Sequence, residues 1–164
     1  MNLTSLTIEY LNKCNLRCAH CAINASPEGD KKLTLGETKE WIAVAKKFGV
    51  REVYLSGGEP FLVFGELCEL ARYSSSLGLR VSTISNAFWS SSPDNATRYM
   101  QLLKENGLDT LLLSFDWFHI NGGVPPENFL NAAKAANTIG IELIINVIQA
   151  KNKGGIDYIF TKSF

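Results

Sequence analysis

Gly49-Val50-Arg51-Glu52-Val53-Tyr54-Leu55-Ser56-Gly57-Gly58-Glu59-Pro60 contains one unit of a repeat that decides the fold. A glycine able to end a helix is followed by a short apolar run, then by a glycine turn and a proline that stiffens entry into the next helix. Similar glycine-to-apolar steps recur at Gly78-Leu79 into Val81-Ser82-Thr83-Ile84, at Gly107-Leu108 into Leu111-Leu112-Leu113, and at Gly140-Ile141 into Leu143-Ile144-Ile145. The four glycines are spaced by 29, 29 and 33 residues, close to the ~30 residues of a strand-helix-strand unit. Runs that are continuously apolar, without alternation, belong to parallel strands covered on both faces. The expectation is an α/β fold, either a barrel or a doubly wound sheet.

Between the runs lie segments with helix-end signals. Thr34-Leu35-Gly36-Glu37 reads as a capping box for a helix closed by Gly49. A second helix is expected from about Phe61 to Leu77, a third from the Ser92-Pro93 cap to Gly107, and a fourth from Pro126 to Gly140. An earlier strand, Leu6 to Leu11, precedes them all. The stretch from that strand to Thr34 far exceeds the usual two to six residues of a βα loop, and long loops in compact domains usually carry function.

Composition narrows the class. The 164 residues are 46% hydrophobic and 20% charged, enough for one globular domain over 1–164. Sixteen basic residues balance sixteen acidic ones without a basic cluster, which argues against a nucleic-acid partner. No apolar run approaches the ~18 residues of a membrane span, and the start lacks a signal-peptide pattern. The expected location is cytoplasmic, where thiols stay reduced and clustered cysteines point to metal.

Three of the four cysteines fall in the long loop, as Cys14-Asn15-Leu16-Arg17-Cys18-Ala19-His20-Cys21, a CxxxCxxC pattern. A ferredoxin supplies four thiolates to each cluster and a structural zinc site also wants four ligands, so a fourth is missing here. Cys68 lies on the apolar stripe Phe64, Leu67, Cys68, Ala71 and is expected to be a small core residue. His20 neighbours Cys21 and is expected to pack its ring beside the metal centre rather than complete a zinc site.

CxxxCx(aromatic)C after the first strand, followed by Gly57-Gly58-Glu59-Pro60 after the second, resembles the radical S-adenosylmethionine (radical SAM) superfamily over about Leu6 to Asn152. The resemblance implies a partial TIM-like (βα) barrel with outer helices. It also implies a 4Fe-4S cluster on Cys14, Cys18 and Cys21 whose open iron takes the amino and carboxylate groups of S-adenosyl-L-methionine. Reductive cleavage would then give methionine and a 5′-deoxyadenosyl radical that abstracts a substrate hydrogen. Gly57 and Gly58 would admit the methionine moiety, Glu59 would accept from its ammonium, and Pro60 would stiffen the turn. Ser85-Asn86-Ala87-Phe88 is similar to a Thr-Asn-Gly segment of the family, with Ala87 in place of the glycine, so Ser85 and Asn86 are cofactor or substrate contacts. Ser114-Phe115-Asp116-Trp117-Phe118-His119 is similar to a Ser-x-Asp-x-Phe-His segment, which makes Ser114 a ribose contact. For Asp116 and His119 two readings stand open, a proton-moving or substrate-positioning pair and a pair that hydrogen-bonds a loop. Asn146, Gln149 and Asn152 carry amides that suit nucleoside contacts or loop caps.

The implied partners are an electron-donor protein of flavodoxin or ferredoxin type and a small-molecule or peptide substrate. The alternative is a truncated or non-catalytic iron-sulfur module. About five βα units are legible where the family has six, and Lys151 to Gly155 shows no helical period. The segment 153–164 is therefore expected to be an irregular tail with at most a short strand at Ile156 to Phe160, and the fifth strand to carry an open edge with apolar surface beside it.

Overall fold

The computed structural model describes residues 3–149. Five parallel strands form one sheet: β1 (Ser5–Glu9), β2 (Glu52–Ser56), β3 (Arg80–Ser85), β4 (Thr110–Ser114) and β5 (Glu142–Asn146). Their spatial order is their chain order. A doubly wound sheet would reverse direction at a switch point, so unbroken sequential order is that of a barrel wall. The expected TIM-like α/β class is thus the observed one, with five strands among the described residues.

The helices are α1 (Leu35–Lys47), α2 (Phe64–Ser76), α3 (Pro93–Glu105), the short α4 (Trp117–Asn121) and α5 (Pro126–Ile139). α1 begins with the expected capping box, the Thr34 hydroxyl accepting from the Glu37 N–H while the Glu37 carboxylate accepts from the Thr34 N–H. The Ser92 side chain likewise caps α3, accepting from the Asn95 N–H, and Gly140 closes α5 in the left-handed conformation at φ +75°. α1 packs on α2, α2 on α3 and α3 on α5, forming an outer layer over the sheet.

The core lies between these layers and is fullest at the middle strands: Val53, Val81, Leu111 and Leu113 are wholly buried beneath Ile42, Leu70, Met100 and Ala132. The edges differ from that centre. Among the described residues β5 pairs only with β4, and Ile144 and Ile145 are each 39% exposed, the apolar surface expected beside the fifth strand. Asn152 and the expected tail 153–164 lie outside the described residues.

Three local expectations change. β1 ends at Glu9 because Tyr10 and Leu11 peel away: Leu11 bridges antiparallel to Lys32, and the Leu33 N–H donates to the Tyr10 carbonyl. The second helix starts later than Phe61, since Pro60–Val63 forms a separate 3-10 turn in which the Phe61 N–H is met by the Glu59 carboxylate. The segment after β4 holds a helix, α4, where none was expected; Asp116 is its cap.

Candidate active site

The long loop after β1 is fastened along its length by backbone bonds. Asn12 N–H reaches the Lys31 carbonyl, Cys14 N–H the Ser26 carbonyl, and Ser26 N–H the Asn12 carbonyl. It also has a small core of its own, Cys14, Leu16, Ala25 and Val124, against which Cys18, Cys21 and Ile23 pack. Backbone bonds and this core hold the loop without any link between the cysteine sulfurs.

The turn after β2 locks onto this loop. Gly58 N–H donates to the Leu11 carbonyl at 2.6 Å and Glu59 N–H to the Lys13 carbonyl at 2.9 Å. A Cβ on Gly58 would lie 2.0 Å from the Lys13 carbonyl oxygen, and one on Gly57 2.5 Å from that of Leu11. The glycines are thus required by loop-to-loop contact.

A cavity of about 460 Å³ opens at the carboxyl ends of the strands. Cys14, Cys18, His20, Cys21, Gly57, Gly58, Glu59, Ser85, Asn86, Ser114, Asp116 and His119 all line it, so the positions that the sequence marks as metal, cofactor or catalytic residues converge there with one exception. That exception is Pro60, which is buried as the first residue of the 3-10 turn. Cys68 lies outside the cavity and packs on the main core, although it is only half-buried where a buried core residue was expected. Of the amides after β5, Asn146 lines the cavity and Gln149 does not. Glu9 and Ile148 line it without any signal in the sequence. Asn15, equally unmarked, accepts from Asn86 Nδ2 at 2.9 Å.

None of the three loop cysteines is in a disulfide. Burial, opposed by the Leu16 amide and reinforced by Glu59 and Cys21, pushes the Cys14 thiol up to about 11. Burial together with Cys14, Asp116 and Cys21 pushes Cys18 up to about 11. Thiols that resist ionising next to one another become thiolates on a shared cationic centre, which deprotonates them outright. Backbone donors already face the sulfurs: Leu16 N–H to Cys14 at 3.4 Å and Ala25 N–H to Cys21 at 3.3 Å. Hydrogen bonds to sulfur are how iron-sulfur sites are tuned, so this donor set fits a cluster with three protein ligands.

Glu59 is buried, and its carboxylate accepts from Phe61 N–H at 3.1 Å, the Ser85 hydroxyl at 2.9 Å and Asn86 N–H at 2.8 Å. Burial raises its carboxyl to about 7 against these three donors. Ser85 is fully engaged, since it also accepts from the Trp89 indole and the Ala87 N–H. Asn86 reaches toward Cys14 Sγ at 3.8 Å.

Asp116 is 1% exposed and organises the other side. Its Oδ1 accepts from the N–H groups of Phe118 and His119 and lies 2.7 Å from His119 Nδ1; its Oδ2 accepts from Ile148 N–H. Burial works to raise this carboxyl, but the hydrogen bonds and charge of His119 with the His119 and Ile148 amides outweigh it and hold the group below its ordinary value. His20 packs on Phe118 at 4.3 Å between ring centroids, and burial lowers its imidazole despite the pull of Asp116. The motif implies ring packing beside a metal centre; among the described residues its ring contacts are to Phe118 and His119.

The family model for the radical SAM superfamily matches residues 8–154. The chain belongs to the radical SAM superfamily. Relatives of this radical SAM chain include the "Putative peptide biosynthesis protein YydG" of Bacillus subtilis (strain 168), 26% identical over 70% of the chain and 36% of the relative. A probable GTP 3′,8-cyclase of Methanothermobacter marburgensis is 30% identical over 70% of the chain and 35% of the relative. The crystal structure of methylornithine synthase (PylB) shares the fold with a TM-score of 0.68 and 19% identity, covering 89% of the chain and 44% of that structure. The chain thus spans about a third of the length of these curated relatives.

Proposed function

We propose that this chain is the cluster-bearing core of a radical SAM enzyme that generates a 5′-deoxyadenosyl radical for hydrogen abstraction from a small-molecule or peptide substrate. The observation that carries the reading is the set of three thiols, Cys14, Cys18 and Cys21, lining one cavity into which Cys68 does not reach. Held by these three cysteines, a 4Fe-4S cluster would supply the electron for reductive cleavage of S-adenosyl-L-methionine.

The chain's own residues hold and shape that chemistry. Cys14, Cys18 and Cys21 would hold the iron, with the Leu16 and Ala25 amides directed at the sulfurs of Cys14 and Cys21. Gly57 and Gly58 present backbone without side chains to the methionine moiety. Ionised Glu59 has about four acceptor positions and three of them are taken, which leaves one on Oε2 for the ammonium, whose charge would in turn favour the ionised form. His20 packs beside the cofactor, Asn86 braces the cysteine loop through Asn15, and Ser114 meets the ribose. His119 is fixed through Nδ1 to Asp116, so Nε2 is the nitrogen left to exchange a proton with a bound substrate.

An electron donor of flavodoxin or ferredoxin type and a cytoplasmic location complete the reading. Among the described residues no helix is long and apolar enough to cross a membrane. Two measurements test the proposal after anaerobic reconstitution. Iron content should collapse in Cys18→Ala and persist in Cys68→Ala; full iron in Cys18→Ala would refute the cysteine assignment. Reduction with S-adenosyl-L-methionine should release 5′-deoxyadenosine, whereas a stable cluster without that product would favour a non-catalytic iron-sulfur module.

A further inference from the structure

Two histidines converge on one buried carboxylate at the cavity wall. His20 comes from the cysteine loop, while Asp116 and His119 come from the start of α4. The atoms with which each can ligate lie within 4.8 Å of one another. A pair that only caps a loop needs a single histidine, and His119 already fills that place at 2.7 Å. The second histidine is left over: His20 Nε2 stands 3.8 Å from Asp116 Oδ2, near the carboxylate but beyond hydrogen-bond distance.

We propose that His20, Asp116 and His119 bind a divalent transition-metal ion of the zinc, ferrous or cobaltous kind, at a site distinct from the three cysteines. Two imidazoles and one carboxylate are the donor set such ions prefer, whereas magnesium and calcium want oxygen throughout. Zinc bonds of about 2.0–2.1 Å at tetrahedral angles separate donors by roughly 3.3 Å. The contacts present are His119 Nδ1 to Asp116 Oδ1 at 2.7 Å and His20 Nε2 to Asp116 Oδ2 at 3.8 Å, so a metal ion would draw the donors together within their 4.8 Å spread and replace the hydrogen bond between His119 and Asp116. The supporting contacts are in place: the Phe118 ring lies on His20, and the Phe118 and Ile148 amides donate to the two oxygens of Asp116. Three protein ligands facing a cavity leave a position open for an oxygen or nitrogen donor of a small molecule.

The test uses the full chain with its cluster reconstituted and oxidised to the diamagnetic state, freed of loose metal and dialysed against zinc or cobalt(II) at micromolar concentration. Elemental analysis should give one zinc per chain beyond the cluster iron, and cobalt should give a high-spin electron paramagnetic resonance signal. His20→Phe, which keeps the ring against Phe118 and removes both nitrogens, should weaken binding at least roughly tenfold with iron content unchanged. His119→Gln should do the same. The second metal should also persist when Cys14, Cys18 and Cys21 are all replaced by Ala, which separates it from adventitious thiol binding and from the cluster assignment. No zinc beyond the cluster, unchanged affinity in both histidine variants, or loss of zinc when only the three cysteines are replaced would each overturn the proposal.

Discussion

On one side of the cavity the cysteine loop and the Gly57-Gly58 turn meet backbone to backbone, through Gly58 N–H to Leu11 and Glu59 N–H to Lys13. On the other side, the segments after β4 and β5 converge on a single side chain, the Asp116 carboxylate. The first contact is built from groups that cannot titrate and needs glycine because nothing larger fits. The second is built from one charge. A steric change should break the first, and a charge change the second.

The largest effect is expected from Gly58→Ala. Its Cβ would sit 2.0 Å from the Lys13 carbonyl oxygen, a clash with backbone that no rotamer relieves. The cost should be about 3 kcal/mol or more, with loss of most cluster iron because the cysteine loop must move. Gly65→Ala is the control: a Cβ there meets nothing within 4 Å, so stability should hold or rise. Thermal unfolding and iron content read both. A Gly58→Ala chain as stable as the parent would mean that the two loops do not touch this closely.

The walls should also respond oppositely to pH. Burial raises Glu59 from its ordinary 4.5 to about 7, so the folded state favours its protonated form. The stability this contributes is fully present below the unfolded value and is lost as pH rises through about 7. A tenfold change in proton affinity on folding is worth about 1.4 kcal/mol, so the cluster-free chain should lose about 1–3 kcal/mol between roughly pH 5 and pH 8. Glu59→Gln should flatten that slope. Asp116, held below its ordinary 3.8, contributes above that value and loses its contribution only as pH falls through its lowered folded value. A denaturant series at several pH values separates the two, and an unchanged slope in Glu59→Gln would exclude Glu59 as its source.

A smaller change is expected from Asp116→Asn, about 1–2 kcal/mol, because an amide oxygen can still accept from α4 but no longer offers a charge to His119. Hydrogen exchange should quicken at the Phe118 and Ile148 amides and stay unchanged at Gly58 and Cys14. Equal loosening on both sides would show that the walls are one cooperative unit.

How far the sequence can be read follows the same divide between local and tertiary causes. The Thr34 capping box, the Ser92 cap and the Gly140 stop act within a few residues, and the parallel strands follow from their apolar runs; all are legible. The start of α2 is not, because Glu59 caps a separate turn at Phe61 while held by Ser85 and Asn86 from another strand. α4 has five residues, too few to show a period, although an aspartate before an aromatic run is a usable cap signal. The cysteines are legible because their spacing is the chemistry. The glycines are legible as special but not for their whole reason, since Leu11 and Lys13 become their neighbours only through the fold.

Ala87 should give the smallest effect and shows that glycine can be wanted for two different reasons. It stands where the similar family segment has glycine, and its φ is +64°, left-handed for a residue with a Cβ. That conformation costs roughly 1–2 kcal/mol, which Ala87→Gly would recover. Against this, glycine gives the unfolded chain more freedom, worth about 0.5–1 kcal/mol, and the change removes a methyl worth about 0.8 kcal/mol from a residue that is 1% exposed. The contributions nearly cancel, so stability should change by less than about 1 kcal/mol, a shift of roughly 2–4 °C at most in melting temperature. The hydrogen bonds around it, Ala87 N–H to the Ser85 hydroxyl and Asn128 Nδ2 to the Ala87 carbonyl, use only backbone atoms of residue 87 and should survive. Glycine at 57 and 58 is demanded by a neighbour's backbone, whereas at 87 it is only favoured by a dihedral angle. A loss above about 2 kcal/mol in Ala87→Gly would show that the methyl packs the base of the cavity more tightly than its burial implies.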